Sequence, residues 1–184
     1  MKKILSIVLF TALSLYGCQQ KEEPKQQFQP PVGQIPPGGP GAPGHGVDTA
    51  KLLQEEVKKN PKNINAWIDL GNMMMDTRSF QEAIDAYSKA LELDPKNVNV
   101  RADMGTCYRY IGKPDLAAKE YRKVLEIDPK HLNARKNLAI VLAYDLHDSK
   151  EAVKEFEKAL EIEPNAPDAG RIRAEIQKLK AAAK

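Results

Sequence analysis

Ala90-Leu91-Glu92-Leu93-Asp94-Pro95, Val124-Leu125-Glu126-Ile127-Asp128-Pro129 and Ala159-Leu160-Glu161-Ile162-Glu163-Pro164 are three renderings of one phrase, and Pro61 closes a more divergent copy. The four prolines stand 34, 34 and 35 residues apart. A fixed period of this length marks stacked helical units, each too small to bury its own apolar face. Matching offsets carry matching residues. Trp67, Leu70 and Gly71 correspond to Arg101, Met104 and Gly105, then to Arg135, Leu138 and Ala139. Ala83 and Tyr87 likewise answer to Ala117 and Tyr121, then to Ala152 and Phe156. In the first unit Ala66, Trp67, Leu70 and Met74 fall at helical spacing, and Ala83, Ile84, Tyr87, Ala90 and Leu91 form the stripe of a second helix that Pro95 stops. Gly71 is expected opposite Ala83 and Ala86, where small residues let two backbones approach. Ser79 with Glu82, and Asp148 with Glu151, have the form of capping boxes, and Pro114 falls at the first-turn position that favours proline. The extra residue of the third unit is expected in a loop over Asp145 to Ser149.

These marks resemble the tetratricopeptide repeat, Trp-x2-Leu-Gly-x2-Tyr, then Ala-x3-Phe, then Pro, with Met74, Tyr108 and Leu142 in the tyrosine slot. The resemblance implies an all-α, right-handed α-solenoid with helix pairs over residues 64–97, 98–131 and 132–166. Capping helices are expected at both ends, making eight helices over one continuous core within 48–184. Residues 48–60 place Ala50, Leu53 and Val57 on one face; residues 167–183 place Ile172, Ile176 and Leu179 on one face with charges outside. That is the layout of a solenoid cap.

Residues 1–17 read as a targeting segment. Met1-Lys2-Lys3 precedes an apolar run from Ile4 to Leu15, shorter than the roughly 20 residues that span a bilayer as a helix. Leu15-Tyr16-Gly17-Cys18 is similar to a bacterial lipobox, which implies lipidation at Cys18. An ordinary signal cleaved nearby is the alternative. Two or more acyl chains hold a protein stably at a membrane, where one does so only marginally. Gln19 after the cysteine points, by the family's sorting rule, to the outer membrane facing the periplasm.

Residues 18–47 then carry Pro30-Pro31 and Pro36-Pro37-Gly38-Gly39-Pro40-Gly41 with almost no apolar side chains. Such a composition cannot offset the entropy of ordering, so it reads as a disordered tether with a coil span of ~30 Å. Proline recognition by a partner is the alternative. Removing Lys2 and Lys3 from the 28 basic residues leaves 26 against 25 acidic ones, a net charge of +1. A balance so near neutral argues against nucleic acid as a partner.

Reactive constellations are lacking in the sequence: no Cys-x2-Cys pair, no phosphate loop placed between strand and helix, and no paired acid, base and nucleophile. The chain is therefore expected not to be an enzyme and to need no cofactor. His147 beside Asp145 and Asp148 reads as a solvated loop histidine before a metal ligand, and His131 as a turn residue. Cys107 reads as a packing residue before a redox thiol. Met73-Met74-Met75 is apolar filler or groove lining.

Ligands of tetratricopeptide repeats lie against the concave face of the first helices, and the resemblance carries that role to this chain residue by residue. The groove positions are Asn65, Ile68, Asn72, Met75 and Asp76; Asn99, Ala102, Thr106, Arg109 and Tyr110; and Asn133, Lys136, Ile140, Ala143 and Tyr144. The mixture of amides, cations, tyrosines and apolar groups suits a protein or peptide partner. Arg109, Tyr110 and Tyr144 are expected to anchor it without supporting the fold. Asn72 and Lys136 fit the family's carboxylate clamp, whereas Ile68, Thr106 and Ile140 depart from it. Three kinds of relative are compatible: holders of apocytochromes in cytochrome c maturation, to which Asn137 to Leu146 and Pro164 to Ala169 look similar, pilotins of pilus secretins, and envelope peptidase adaptors. A plain structural spacer is the alternative of another class.

Overall fold

The computed structural model describes residues 45–182; Cys18, the targeting segment and the tether lie outside them. Among the described residues all regular structure is helical: α1 (His45–Lys59), α2 (Ile64–Asp76), α3 (Phe80–Leu93), α4 (Val98–Tyr110), α5 (Pro114–Ile127), α6 (Leu132–Ile140), α7 (Ser149–Ile162) and α8 (Ala169–Ala182). None is long and apolar enough to cross a membrane. Each helix packs on its neighbours in sequence, with the tightest pairs being α2 with α3, α4 with α5, and α6 with α7. This is the expected solenoid of three helix pairs between two caps.

The core is divided where one continuous core was expected. One cluster joins Val57 of α1 to Leu70, Met74, Ala83, Ile84, Tyr87 and Leu91, and ends on Val100, Met104 and Cys107 of α4. The other begins with Ala102 of the same helix and runs through Tyr121, Leu138, Val141, Leu142 and Phe156 to Ile172, Ile176 and Leu179. Tyr108 packs against both, so α4 is the wall they share.

Two corrections concern the pairing inside a unit. In the first two units the nearest neighbour of the glycine on the first helix is the aromatic ring of the second, where alanines were expected. A Cβ on Gly71 would sit 2.4 Å from the Tyr87 ring, and one on Gly105 2.9 Å from the Tyr121 ring. The tryptophan slot is only half-buried in the first unit, where Trp67 Nε1 donates to the Pro61 carbonyl at 2.9 Å. Arg101 and Arg135 take over that bond to Pro95 and Pro129. Their guanidinium groups also reach a buried carboxylate on the second helix: Arg101 pairs with Glu120 at 2.7 Å, and Arg135 with Glu155. Ala86 stands at the matching position in the first unit. Where the first unit has Trp67 and Ala86, the other two have a buried ion pair.

Helix starts are set by side-chain caps, of which only Asp148 was expected. Asn63 and Asn97 each accept from the backbone N–H three residues on at 3.2 Å, and His131 does so through Nδ1 at 3.1 Å. His131 is therefore a helix cap, with its Nε2 towards Asn99 Oδ1 at 3.2 Å. Asp148 caps α7 through Glu151 N at 3.0 Å. Ser79 makes no such bond; its hydroxyl lies 3.5 Å from that of Thr77.

The extra residue of the third unit does not enlarge the loop. Ser79 N and Lys113 N reach back five residues, to Met74 O and Tyr108 O, whereas Asp148 N reaches back six, to Leu142 O. The difference is absorbed in a π-helical turn, Val141–Asp145, that continues α6. The turns that follow stay alike, because Arg78, Gly112 and His147 all take left-handed φ of 61°, 73° and 57° just before the cap.

Candidate functional site

Residues at i, i+4, i+7 and i+11 form one row along a helix. On the first helices of the three pairs these rows are Asn65, Asp69, Asn72 and Asp76; Asn99, Asp103, Thr106 and Tyr110; and Asn133, Asn137, Ile140 and Tyr144. Exposure falls from unit to unit. The α2 row is exposed throughout; the α4 row is exposed at Asn99 and Tyr110 and half-buried between them; in the third row only Asn133 is exposed, and Ile140 is 2 % exposed. The face these rows share is open over α2 and α4 and filled over α6.

The adjoining positions turn towards the next unit. Ala102 and Ala143 are buried, and Ile68 and Met75 are half-buried against the first core cluster. Arg109 pairs with Asp145 of the π turn, and Lys136 pairs with Asp168 at 2.8 Å before α8. Tyr144 donates to Glu175 on α8, and Lys178 lies 5.2 Å over its ring. Arg109, Lys136 and Tyr144 therefore stitch neighbouring units together, and the expectation that Arg109 and Tyr144 leave the fold unsupported is corrected. The same contact occupies the ammonium that Lys136 would have offered to a carboxylate clamp.

Asn72, Thr106 and Ile140 form a series explained by the second helix. Tyr87 Oη donates to Asn72 Oδ1 at 2.8 Å, and Tyr121 Oη shares a 2.9 Å hydrogen bond with the Thr106 hydroxyl. In the third unit the aromatic is Phe156, with no hydroxyl, and the partner position is the apolar Ile140. Ile140 is thus a core residue, removed from the groove by its phenylalanine. Tyr110 is the large side chain of these rows that stays exposed. It is 51 % exposed and lies parallel to the Phe80 ring, centroids 4.6 Å apart.

Asp69, Asp103 and Asn137, one residue beyond the expected Ile68, Ala102 and Lys136, complete the rows. The signal for them was the i, i+4, i+7, i+11 row itself. Asp103 is the most perturbed member: burial pushes its carboxyl up to about 6. Burial, with the Asp103 charge added, also raises the Tyr87 hydroxyl and pushes the Cys107 thiol up to about 12. A thiol so held is a poor nucleophile, in line with packing as its role. Among the described residues Asp69, Asp76 and Asp103 have no hydrogen-bond or ion-pair partner.

The geometry is that of a repeat solenoid, and comparison with known families agrees. A family model described as "Cytochrome c-type biogenesis protein H TPR domain" matches residues 49–169, from α1 to the first residue of α8. The chain belongs to this family. The tetratricopeptide-repeat (TPR) domain also matches solved structures of the same fold. A crystal structure of MamA is 19% identical, with a TM-score of 0.65 over 74% of this chain and 85% of that one. The first TPR of Spaghetti (RPAP3), bound in that structure to an HSP90 peptide, is 24% identical, with a TM-score of 0.59 over 65% and 92%. The Sgt2 TPR domain from Aspergillus fumigatus is 26% identical, with a TM-score of 0.58 over 65% and 78%. No curated protein matches the chain. TPR folds are in general protein-interaction modules and not catalysts.

Proposed function

We propose that this chain is a non-enzymatic adaptor of the bacterial cell envelope, holding a segment of a protein partner along the concave face of its TPR domain. The observation that carries this reading is the open row over α2 and α4, polar, exposed and ending on Tyr110, beside a third row closed by internal contacts. Large aromatic side chains dominate interface energetics, and a Tyr already stacked on Phe80 loses little freedom on binding. Within the adaptor reading, the family's description favours apocytochrome holding during cytochrome c maturation over pilotin or peptidase-adaptor roles.

A photo-crosslinker placed at Asn65, which is exposed and free of the Tyr87 contact, is expected to trap one defined envelope protein in intact cells. Tyr110→Ala should lower that capture about tenfold, equivalent to ~1.4 kcal/mol. Loss of haem-stained c-type cytochromes in the same variant supports the finer reading, and normal staining removes it. If Tyr110→Ala captures as wild type does, the groove is not the binding face and a spacer role takes its place.

Anchoring through lipid on Cys18, with the protein held at the outer membrane on its periplasmic side, is part of the same proposal. The lipobox-like Leu15-Tyr16-Gly17-Cys18 supports it. Cys18→Ala is expected to move the protein from the membrane to the soluble fraction, with loss of the acyl mass from its amino-terminal peptide. An unmodified Cys18 in the wild-type protein would refute the anchor while leaving the groove untouched.

A further inference from the structure

The cations and carboxylates of the concave face are not balanced alike. Three cations beside the rows are paired within the domain: Arg109 with Asp145, Lys136 with Asp168, and the more exposed Lys178 with Glu175. The carboxylates of the open half are not. Asp69 and Asp76 on α2 and Asp103 on α4 lie in the exposed rows with no partner among the described residues. Neither α2 nor the part of α3 that faces it brings a basic side chain to this surface; Lys89, the one lysine of α3, pairs with Glu92 on its own helix. The rows meet apolar ground as well. Ile68 and Met75 are half-buried beside them, and the Phe80–Tyr110 stack stands at one end.

From this we infer that the segment held in the groove is basic, and that its lysine or arginine side chain is received by Asp103 while its apolar neighbours lie on Ile68, Met75 and Tyr110. The inference rests on the adaptor reading and adds to it the chemistry of the partner. The argument is one of charge complementarity. A segment of this sign finds uncompensated charge of the opposite sign, whereas an acidic one meets three carboxylates on helices whose own cations, Arg101 and Arg109, are already paired. Asp103 is the member with most to contribute. It is half-buried in the middle of the α4 row, between the exposed Asn99 and Tyr110, so a cation there is screened less than at the exposed Asp69 and Asp76.

The test uses the intact protein and three labelled 12-residue peptides of one Leu-rich sequence that differ only in carrying Arg, Gln or Glu at two positions. The Arg peptide is expected to bind about tenfold tighter than the Glu peptide at low salt, and the margin should narrow as salt is raised. Asp103→Asn introduces the residue that the matching row position of the third unit already holds, Asn137. It is expected to cut binding of the Arg peptide about tenfold and to leave the Gln peptide unchanged. Glu126→Gln, at an exposed site on α5, should change neither. Equal binding of all three peptides, an unaltered Arg peptide in Asp103→Asn, or an equal loss in Glu126→Gln would each overturn the inference. With any of those results, continued crosslinking of a native partner from Asn65 keeps the adaptor reading. If that crosslink is absent too, both fall.

Discussion

Glu155→Ala is expected to destabilise the domain by about 3–5 kcal/mol, because it strands the Arg135 guanidinium in the interior. Arg135 is 8 % exposed, its Nε already lacks a partner, and Glu155 is the carboxylate that balances it. Lys158, which also pairs with Glu155 at 2.7 Å, is at the surface and loses little. The rescue is written in the first unit, where Trp67 and Ala86 hold the same two positions. Arg135→Trp combined with Glu155→Ala should recover most of the loss, since an apolar pair replaces a buried ionic one at small net cost. Urea unfolding of the two variants checks this. A single variant within 1 kcal/mol of wild type, or a double variant no better than the single, would show that the pair is not a unit.

Asp103→Asn should raise stability at neutral pH, by an amount approaching ~3 kcal/mol if the whole perturbation is lost. The carboxyl titrates at about 6 in the fold and at its ordinary low value when the chain is unfolded. Between those values the folded state holds the extra proton, so stability falls as pH rises through the window and stays reduced above it. The gain from the substitution should therefore be nearly full at pH 7 and fade to almost nothing by about pH 3, below the unfolded value. Unfolding midpoints of both proteins at the two values measure it. A difference that does not change with pH means that Asp103 bears no ionisation penalty. A residue that costs the fold stability and faces the open groove is the pattern expected where function, not packing, keeps a side chain in place.

The helices, their order and the caps were legible because period, apolar spacing and prolines agree with one another. Which side chains of the first helices stay exposed was read one step off. Ile68 and Asp69 differ by one step of about 100° around the helix, and the choice between them depends on where the next unit lies. Arg109, Lys136 and Tyr144 looked free for the same reason: their partners stand 36, 32 and 31 residues away. Ile140 could have been placed. Reading the three units in parallel pairs Asn72 with Tyr87, Thr106 with Tyr121 and Ile140 with Phe156, a polar residue wherever the ring bears a hydroxyl. Ser79 failed as a cap where Asp148 succeeded, although the two have the same form on paper.

The π turn of the third unit bears on how strictly such a chain must count. In an ordinary helix one added residue advances everything after it by about 1.5 Å and rotates it by about 100°. Carried into α7, that rotation would swing Phe156 away from Ala139 and put the stripe of α8 out of phase with its seat. Spread into a wider turn just before His147, the same residue changes the count and leaves the phase alone. The thread of this screw is therefore keyed by its left-handed turn and the cap that follows, and the number of residues between one key and the next is free to vary.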